Sequence, residues 1–207
     1  MIKKISTNVF WLLFFGFFIY KILPKYEYLI DGIPSFMEKD TLFKKIIFCL
    51  HIFSGILVYC TAVLQFTPSI RNKYILFHRR SGKLYIVASL VCITALYFMI
   101  PQGLCTPCRP SHYIVTSLWL LFVFLAYYFI RQRKIVQHQH MMIRSFICAA
   151  YFVTVRVIDQ FGMGPFNAAF KDESRALLAS DIFVWLVPLI AFEFYWRFIL
   201  SKNRLTP

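Results

Sequence analysis

The sequence predicts an all-α integral membrane bundle of about six transmembrane helices, with both termini on the cytoplasmic side. Three observations carry this expectation. Hydrophobic residues fill 59% and charged residues only 15% of the 207 positions, against about 45–50% and about 25% in ordinary soluble domains. The apolar residues gather in runs that reach or approach the roughly 20 residues needed to cross a bilayer. The cations cluster in the connections between alternate runs, with no acid among them, which is the positive-inside pattern for an even number of spans.

Six segments qualify or nearly do: 8–23, 44–66, 83–101, 112–131, 140–159 and 180–200. The first is the shortest and carries Lys21, whose stem can snorkel to the interface. It reads as an uncleaved helix and not as a signal peptide, because Tyr20-Lys21-Ile22-Leu23-Pro24 offers no small residues for cleavage. Pro24, Pro68, Pro101 and Pro110 fall at or just beyond segment ends, where a helix breaker belongs. No linker, low-complexity tract or internal repeat divides the chain, so residues 1–207 read as a single transmembrane domain.

Orientation follows from the charges. Lys3, Lys4, Arg71, Lys73, Arg79, Arg80, Lys83, Arg131, Arg133, Lys134, Arg144, Arg197, Lys202 and Arg204 mark the inner side. Glu27, Asp31, Glu38, Asp40, Asp159, Asp172, Glu173, Asp181 and Glu193 lie elsewhere. The net charge of +14 thus sits in clusters between apolar runs, not on one amphipathic face, which excludes nucleic acid as the partner. Apolar helices also exclude an outer-membrane barrel. The expected setting is a bacterial cytoplasmic membrane, with the lipid bilayer as first partner.

On this topology His51 lies on the second helix near its outer end and His112 opens the fourth at the outer face. His78 precedes the third helix and His138 the fifth, both at the inner face, with His140 beside His138. Residues three or four apart share a helix face. The histidines then head four rows: His51, Gly55, Val58, Ala62, Gln65; His78, Gly82, Tyr85, Ser89, Cys92; His112, Thr116, Trp119, Val123, Ala126; and His138, Met142, Ser145, Ala149, Phe152, Arg156. Glycine one turn after a histidine leaves room for a flat ring; a purely structural reading is close helix packing by small residues.

A haem b between two helices needs two neutral imidazoles at one depth and cations near its propionates. His78 with His138 meets that need at the inner surface, with Arg79, Arg80 and Arg144 alongside. His51 with His112 is a looser outer pair, about 10 Å apart in depth at the helical rise, or His51 lines a quinone pocket. Arg156 is either ion-paired, with Asp159 or Glu193, or a propionate clamp. A divalent metal site is disfavoured, since no helix carries two histidines at i and i+4 with a carboxylate nearby. Cys105-Thr106-Pro107-Cys108 in the outer loop suits thiol redox chemistry, the second thiol resolving a mixed disulfide on the first; a small structural disulfide is the alternative. Cys49, Cys60, Cys92 and Cys148 read as apolar fillers within helices.

His51-x-x-x-Gly55, Gln65, Arg71, His78-Arg79-x-x-Gly82-x-x-Tyr85, Trp119, and His138-x-x-x-Met142-x-Arg144-Ser145 with Arg156 resemble a bacterial family of multi-spanning proteins, domain of unknown function 2306. The resemblance covers about residues 44–160. It implies His51, His78 and His138 as site residues and implies no activity. Gln139 and Met141 stand where the family pattern has Arg and Trp, and His112 lies outside the pattern. By layout, one histidine on each of the second to fifth helices is similar to cytochrome b561-type electron carriers. That likeness implies haem b and electron transfer across the membrane, with quinone or redox proteins as partners. The leading expectation is therefore a haem b redox protein with His78 and His138 as iron ligands and His51, with His112, at a second site. The alternatives are a quinone-linked thiol oxidoreductase using Cys105 and Cys108, and a cofactor-free transporter or assembly subunit. Any enzymatic class implied is an oxidoreductase.

Overall fold

The computed structural model describes residues 11–13, 15–20, 42–103 and 105–200. Among them every regular element is helical and none is a strand. Five helices are long and apolar enough to cross a membrane. Of the expected first span, residues 11–13 and 15–20 are helical. The rest of it, Pro24, the acids of the first connection, and Lys3, Lys4, Lys21, Lys202 and Arg204 lie outside the described residues. The chain forms two compact units, Met1–Gln102 and Gly103–Pro207.

The first unit is built on α1 (Leu42–Phe66) and α3 (Ile75–Met99), joined by the short α2 (Pro68–Lys73) and closed by a 3₁₀ turn, Ile100–Gln102. Pro68 opens α2, where its missing N–H costs nothing, and so ends α1. Residue 65 meets 81, 51 meets 92 and 43 meets 98, the order of an antiparallel hairpin. The rows read from spacing are the packed faces: Val58, Ala62 and Gln65 on α1 and Tyr85, Ser89 and Cys92 on α3 are buried. Phe18 also packs inward, its ring centroid 4.7 Å from that of Tyr59.

One polar bridge pins this hairpin. The Gln65 amide donates to the His78 carbonyl at 2.9 Å and to Ser81 Oγ at 2.7 Å. Its Oε1 stands 3.1 Å from where a Cβ on Gly82 would lie. Gly82 is therefore small because Gln65 fills the space beside it. Gln65→Ala is expected to cost about 1–3 kcal/mol by removing two hydrogen bonds between the helices, read as a lower unfolding midpoint of the full chain in detergent. An unchanged midpoint would show the bridge to be idle.

The second unit contains α4 (Arg109–Arg131), α5 (Ile135–Phe161), the short α6 (Met163–Ala169) and α7 (Glu173–Phe194), which runs on into a π-helical turn, Tyr195–Leu200. Arg133, in the left-handed region at φ 60°, closes the tight turn between α4 and α5. Helices α4, α5 and α7 pack on one another, each antiparallel to the one before. Thr116, Trp119, Val123 and Ala126 on α4 and Met142, Ser145 and Ala149 on α5 form the buried faces.

The boundaries correct the sequence reading in one direction. Helix α3 begins at Ile75 and not at residue 83, α5 at Ile135 and not at 140, and α7 at Glu173 and not at 180. His78, Arg79, Arg80 and His138 are thus helical residues and do not precede their helices. Hydropathy marks what lipid accepts, whereas Arg, Gln and Glu are good helix formers wherever no proline intervenes. The start of α7 is set by Asp172, whose side chain accepts the Ser174 N–H at 3.1 Å. Of the supposed apolar fillers only Cys92 and Cys148 are buried; Cys49 and Cys60 are exposed on the outside of their helix.

Candidate functional site

Cys105 and Cys108 are joined by a disulfide in the turn that leads into α4. The Cys108 N–H donates to the Cys105 carbonyl at 3.2 Å and the Arg109 N–H to that of Thr106 at 3.3 Å. Cys108 is the N-cap residue of α4, and Pro110 sits in the first turn. Cys108 is buried, whereas Cys105 is partly exposed. Of the two sulfurs Cys105 is thus the more accessible, and Cys108 lies at the N-terminal end of a helix. Helix N-termini lower thiol pKa values and favour the thiolate.

One turn further on, the His112 N–H donates to the Cys108 carbonyl at 3.0 Å. The His112 imidazole directs Nε2 at Asp181 Oδ1 of α7, 3.2 Å away. The Tyr151 hydroxyl of α5 donates to the same carboxylate oxygen at 2.5 Å. Asp181 is 2% exposed. A carboxylate this deep in an apolar helix is costly unless used, and here one of its oxygens accepts the Tyr151 hydroxyl and stands 3.2 Å from the His112 imidazole. Alongside, Trp185 Nε1–H donates to Ser111 Oγ at 2.9 Å and ties α7 to α4.

The other end of the unit holds a second cluster. Arg144 Nε and Nη2 both reach Glu193 Oε1 at 2.6 Å, and His140 Nε2 stands 3.2 Å from the same oxygen. His140 stacks on Trp196 of the π-helical turn, centroids 4.3 Å apart. Arg144 also lies over the Phe122 ring at 5.4 Å. One turn before Met142, His138 Nδ1–H donates to the Ala126 carbonyl at 2.9 Å. That bond fixes the tautomer and leaves Nε2 as the lone-pair nitrogen, the usual arrangement of a ligating histidine.

In the first unit, Nδ1 of His51 lies 3.4 Å from Cys92 Sγ, and nothing lies within 4 Å of a Cβ placed on Gly55. Arg79 and Arg80 are exposed and pair with no acid among the described residues.

The site residues expected from sequence thus separate. No atom lies within 4 Å of a Cβ placed on Gly55, one turn after His51, but beside His78 the space at Gly82 is taken by Gln65. His138 presents a ligating nitrogen; His112 turns the nitrogen an iron would need toward Asp181. Arg144, placed by sequence beside propionates, belongs to Glu193. Arg156 takes Asp159 at 3.4 Å within its own helix, so the ion pair that joins the fifth and last spans is Arg144–Glu193. Among the described residues no three His, Cys, Asp or Glu side chains gather as a metal site. Sequence reasoning missed Asp181, Tyr151, His140 and Trp196 as site residues. Its usable signal was Asp181 itself, an unneutralised acid in a spanning segment.

A family model described as predicted membrane protein (DUF2306) matches residues 48–196. The match extends beyond the motif-bearing core and takes in α7 with Asp181 and Glu193. No curated protein and no solved structure matches the chain.

Proposed function

The chain belongs to the DUF2306 family of predicted membrane proteins, and we propose that this multi-pass member is a membrane thiol–disulfide oxidoreductase acting at Cys105–Cys108. One observation carries the proposal: the disulfide caps α4 a single turn from a histidine paired to a buried acid. With both termini cytoplasmic, the disulfide faces the outer compartment and its dithiol substrates. A substrate thiolate attacks Cys105 Sγ and expels Cys108 as a thiolate. The second substrate thiol, as thiolate, then attacks the substrate sulfur of the mixed disulfide, leaving the substrate oxidised and Cys105 and Cys108 as thiols. A membrane quinone takes the two electrons and two protons of that dithiol, becoming quinol and restoring the disulfide.

The test is Cys108→Ser in the full chain. Cys105 alone has no neighbouring thiol to expel a bound partner, so adducts formed by its exchange with outer-compartment disulfides are expected to persist on non-reducing gels. Absence of adducts, with no change in any thiol redox state, would defeat the reading.

A second reading, a haem b electron carrier, is supported by the His138 hydrogen bond to Ala126. Haem supplies one-electron chemistry through its iron; His138 would hold it through Nε2. The expected result is a Soret band in purified protein that is lost in His138→Ala, with His78→Ala as the companion variant. Colourless folded protein from haem-replete cells would refute it.

A further inference from the structure

Thiol exchange at Cys105–Cys108 raises a proton problem that the surrounding helices are arranged to solve. When Cys105 Sγ is attacked, the S–S bond breaks and Cys108 leaves with the electron pair. The resulting thiolate must gain a proton to rest as a thiol, and must lose it again before the disulfide can re-form. We propose that His112 gives and takes this proton, with Asp181 and Tyr151 holding it in that role. The inference rests on the thiol-exchange reading above.

Position comes first. Side chains on a helix lean toward its N-terminus, so a histidine one turn after Cys108 carries its ring on the side of the turn that Cys108 caps, here with the Tyr151 ring 6.0 Å from it. Its backbone hydrogen bond to the Cys108 carbonyl fixes the one-turn spacing. Because Nε2 stands 3.2 Å from Asp181 Oδ1, Nδ1 is the nitrogen left for exchange with sulfur. The Asp181 carboxylate stabilises the imidazolium formed when Nδ1 takes the proton, as an orienting acid does for a catalytic histidine. Tyr151, donating to the same oxygen at 2.5 Å, keeps the carboxylate from rotating away. Asp181 is thus a positioning residue.

Two further atoms fit this role. Asp181 Oδ2 and Arg109 Nε are buried and have no hydrogen-bond partner. Oδ2, on a residue 2% exposed, offers a second oxygen to a migrating proton. Arg109 follows Cys108 directly, and a buried guanidinium nitrogen without an acceptor suits a transient thiolate. A purely structural tie between α4 and α7 is already supplied by Trp185 and Ser111. The charged or titratable groups around Asp181 are His112 from α4 and Tyr151, Asp159 and Arg156 from α5.

The test measures how fast dithiothreitol reduces Cys105–Cys108 in the full chain in lipid nanodiscs. The new thiols are counted by alkylation mass shift, across the pH range in which an imidazole titrates. After correction for the reagent's own thiolate fraction, the wild-type rate should bend with imidazole titration. Asp181→Asn should slow reduction about 10²-fold, the usual scale of a lost general acid, and remove the bend, while Asp181→Glu restores most of both. Should Asp181→Asn fail to fold, His112→Gln and Tyr151→Phe make the same test, the first with a comparable loss and the second with a smaller one. Wild-type rate and pH profile in Asp181→Asn or His112→Gln would overturn the proton role alone. A wild-type disulfide inert to dithiothreitol at every pH would overturn the thiol-exchange reading, and this inference with it.

Discussion

Arg144→Ala should destabilise the second unit by about 1.5–3 kcal/mol, the scale of a hydrogen-bonded charge in a half-buried pair. Glu193 Oε1 holds both Arg144 and His140, on the apolar helix α7 that packs against α5. Removing the guanidinium leaves the carboxylate among apolar helices with the His140 imidazole beside it. Glu193→Gln should cost less, because the amide still accepts from Arg144, though it strands the positive charge. Replacing both residues with methionine should recover most of the loss, since a matched apolar pair avoids the desolvation that ionic partners carry. Unfolding midpoints of the three variants in one detergent decide it. A double variant as unstable as Arg144→Ala would mean that the pair does more than neutralise itself.

Trp119→Ala is the second large effect, about 3 kcal/mol, and Trp119→Phe should cost no more than about 1 kcal/mol. Trp119 is 2% exposed and its ring lies 6.1 Å from that of Phe152, between α4 and α5. Lipid solvates an apolar side chain nearly as well as a protein core does, so the cost of alanine is mainly the cavity and its lost contacts. The indole Nε1–H is buried with no hydrogen-bond acceptor. Phenylalanine keeps most of the contact and deletes that unmet donor, and the two effects offset. The same unfolding assay reads both variants; equal losses would show that the indole nitrogen has a partner in the membrane.

The spans and their packed faces were legible because hydropathy and the 3.6-residue period act along the chain. Ala62, Ser89, Thr116 and Ala149 stand on the buried faces that their spacing predicts. Helix starts were less legible. Arg79 and Arg80, Gln137 and His138, and Glu173 and Ser174 are polar turns that lipid rejects and a helix accepts. The site was half legible. Cys105, Cys108 and His112 announce themselves by type and spacing. Their acid does not, because such partners are set by which helices pack together. Tyr151 and Asp181 are 30 residues apart, and Arg144 and Glu193 are 49 apart. Arg156 shows the same limit from the other side. Both its candidate partners were acids, and only the packing assigned Glu193 to Arg144.

The central claim is that Cys105–Cys108 exchanges with other thiols in use. It is tested most directly by equilibrating the full-length protein in nanodiscs with thiol–disulfide buffers of graded potential and counting alkylated cysteines. A working disulfide should be half-reduced at a potential above about −300 mV and return fully when the buffer is made oxidising, because exchange catalysts lie above the range of structural disulfides. A disulfide that stays closed at all more negative potentials tested, down to well below about −300 mV, would be structural and would contradict the account.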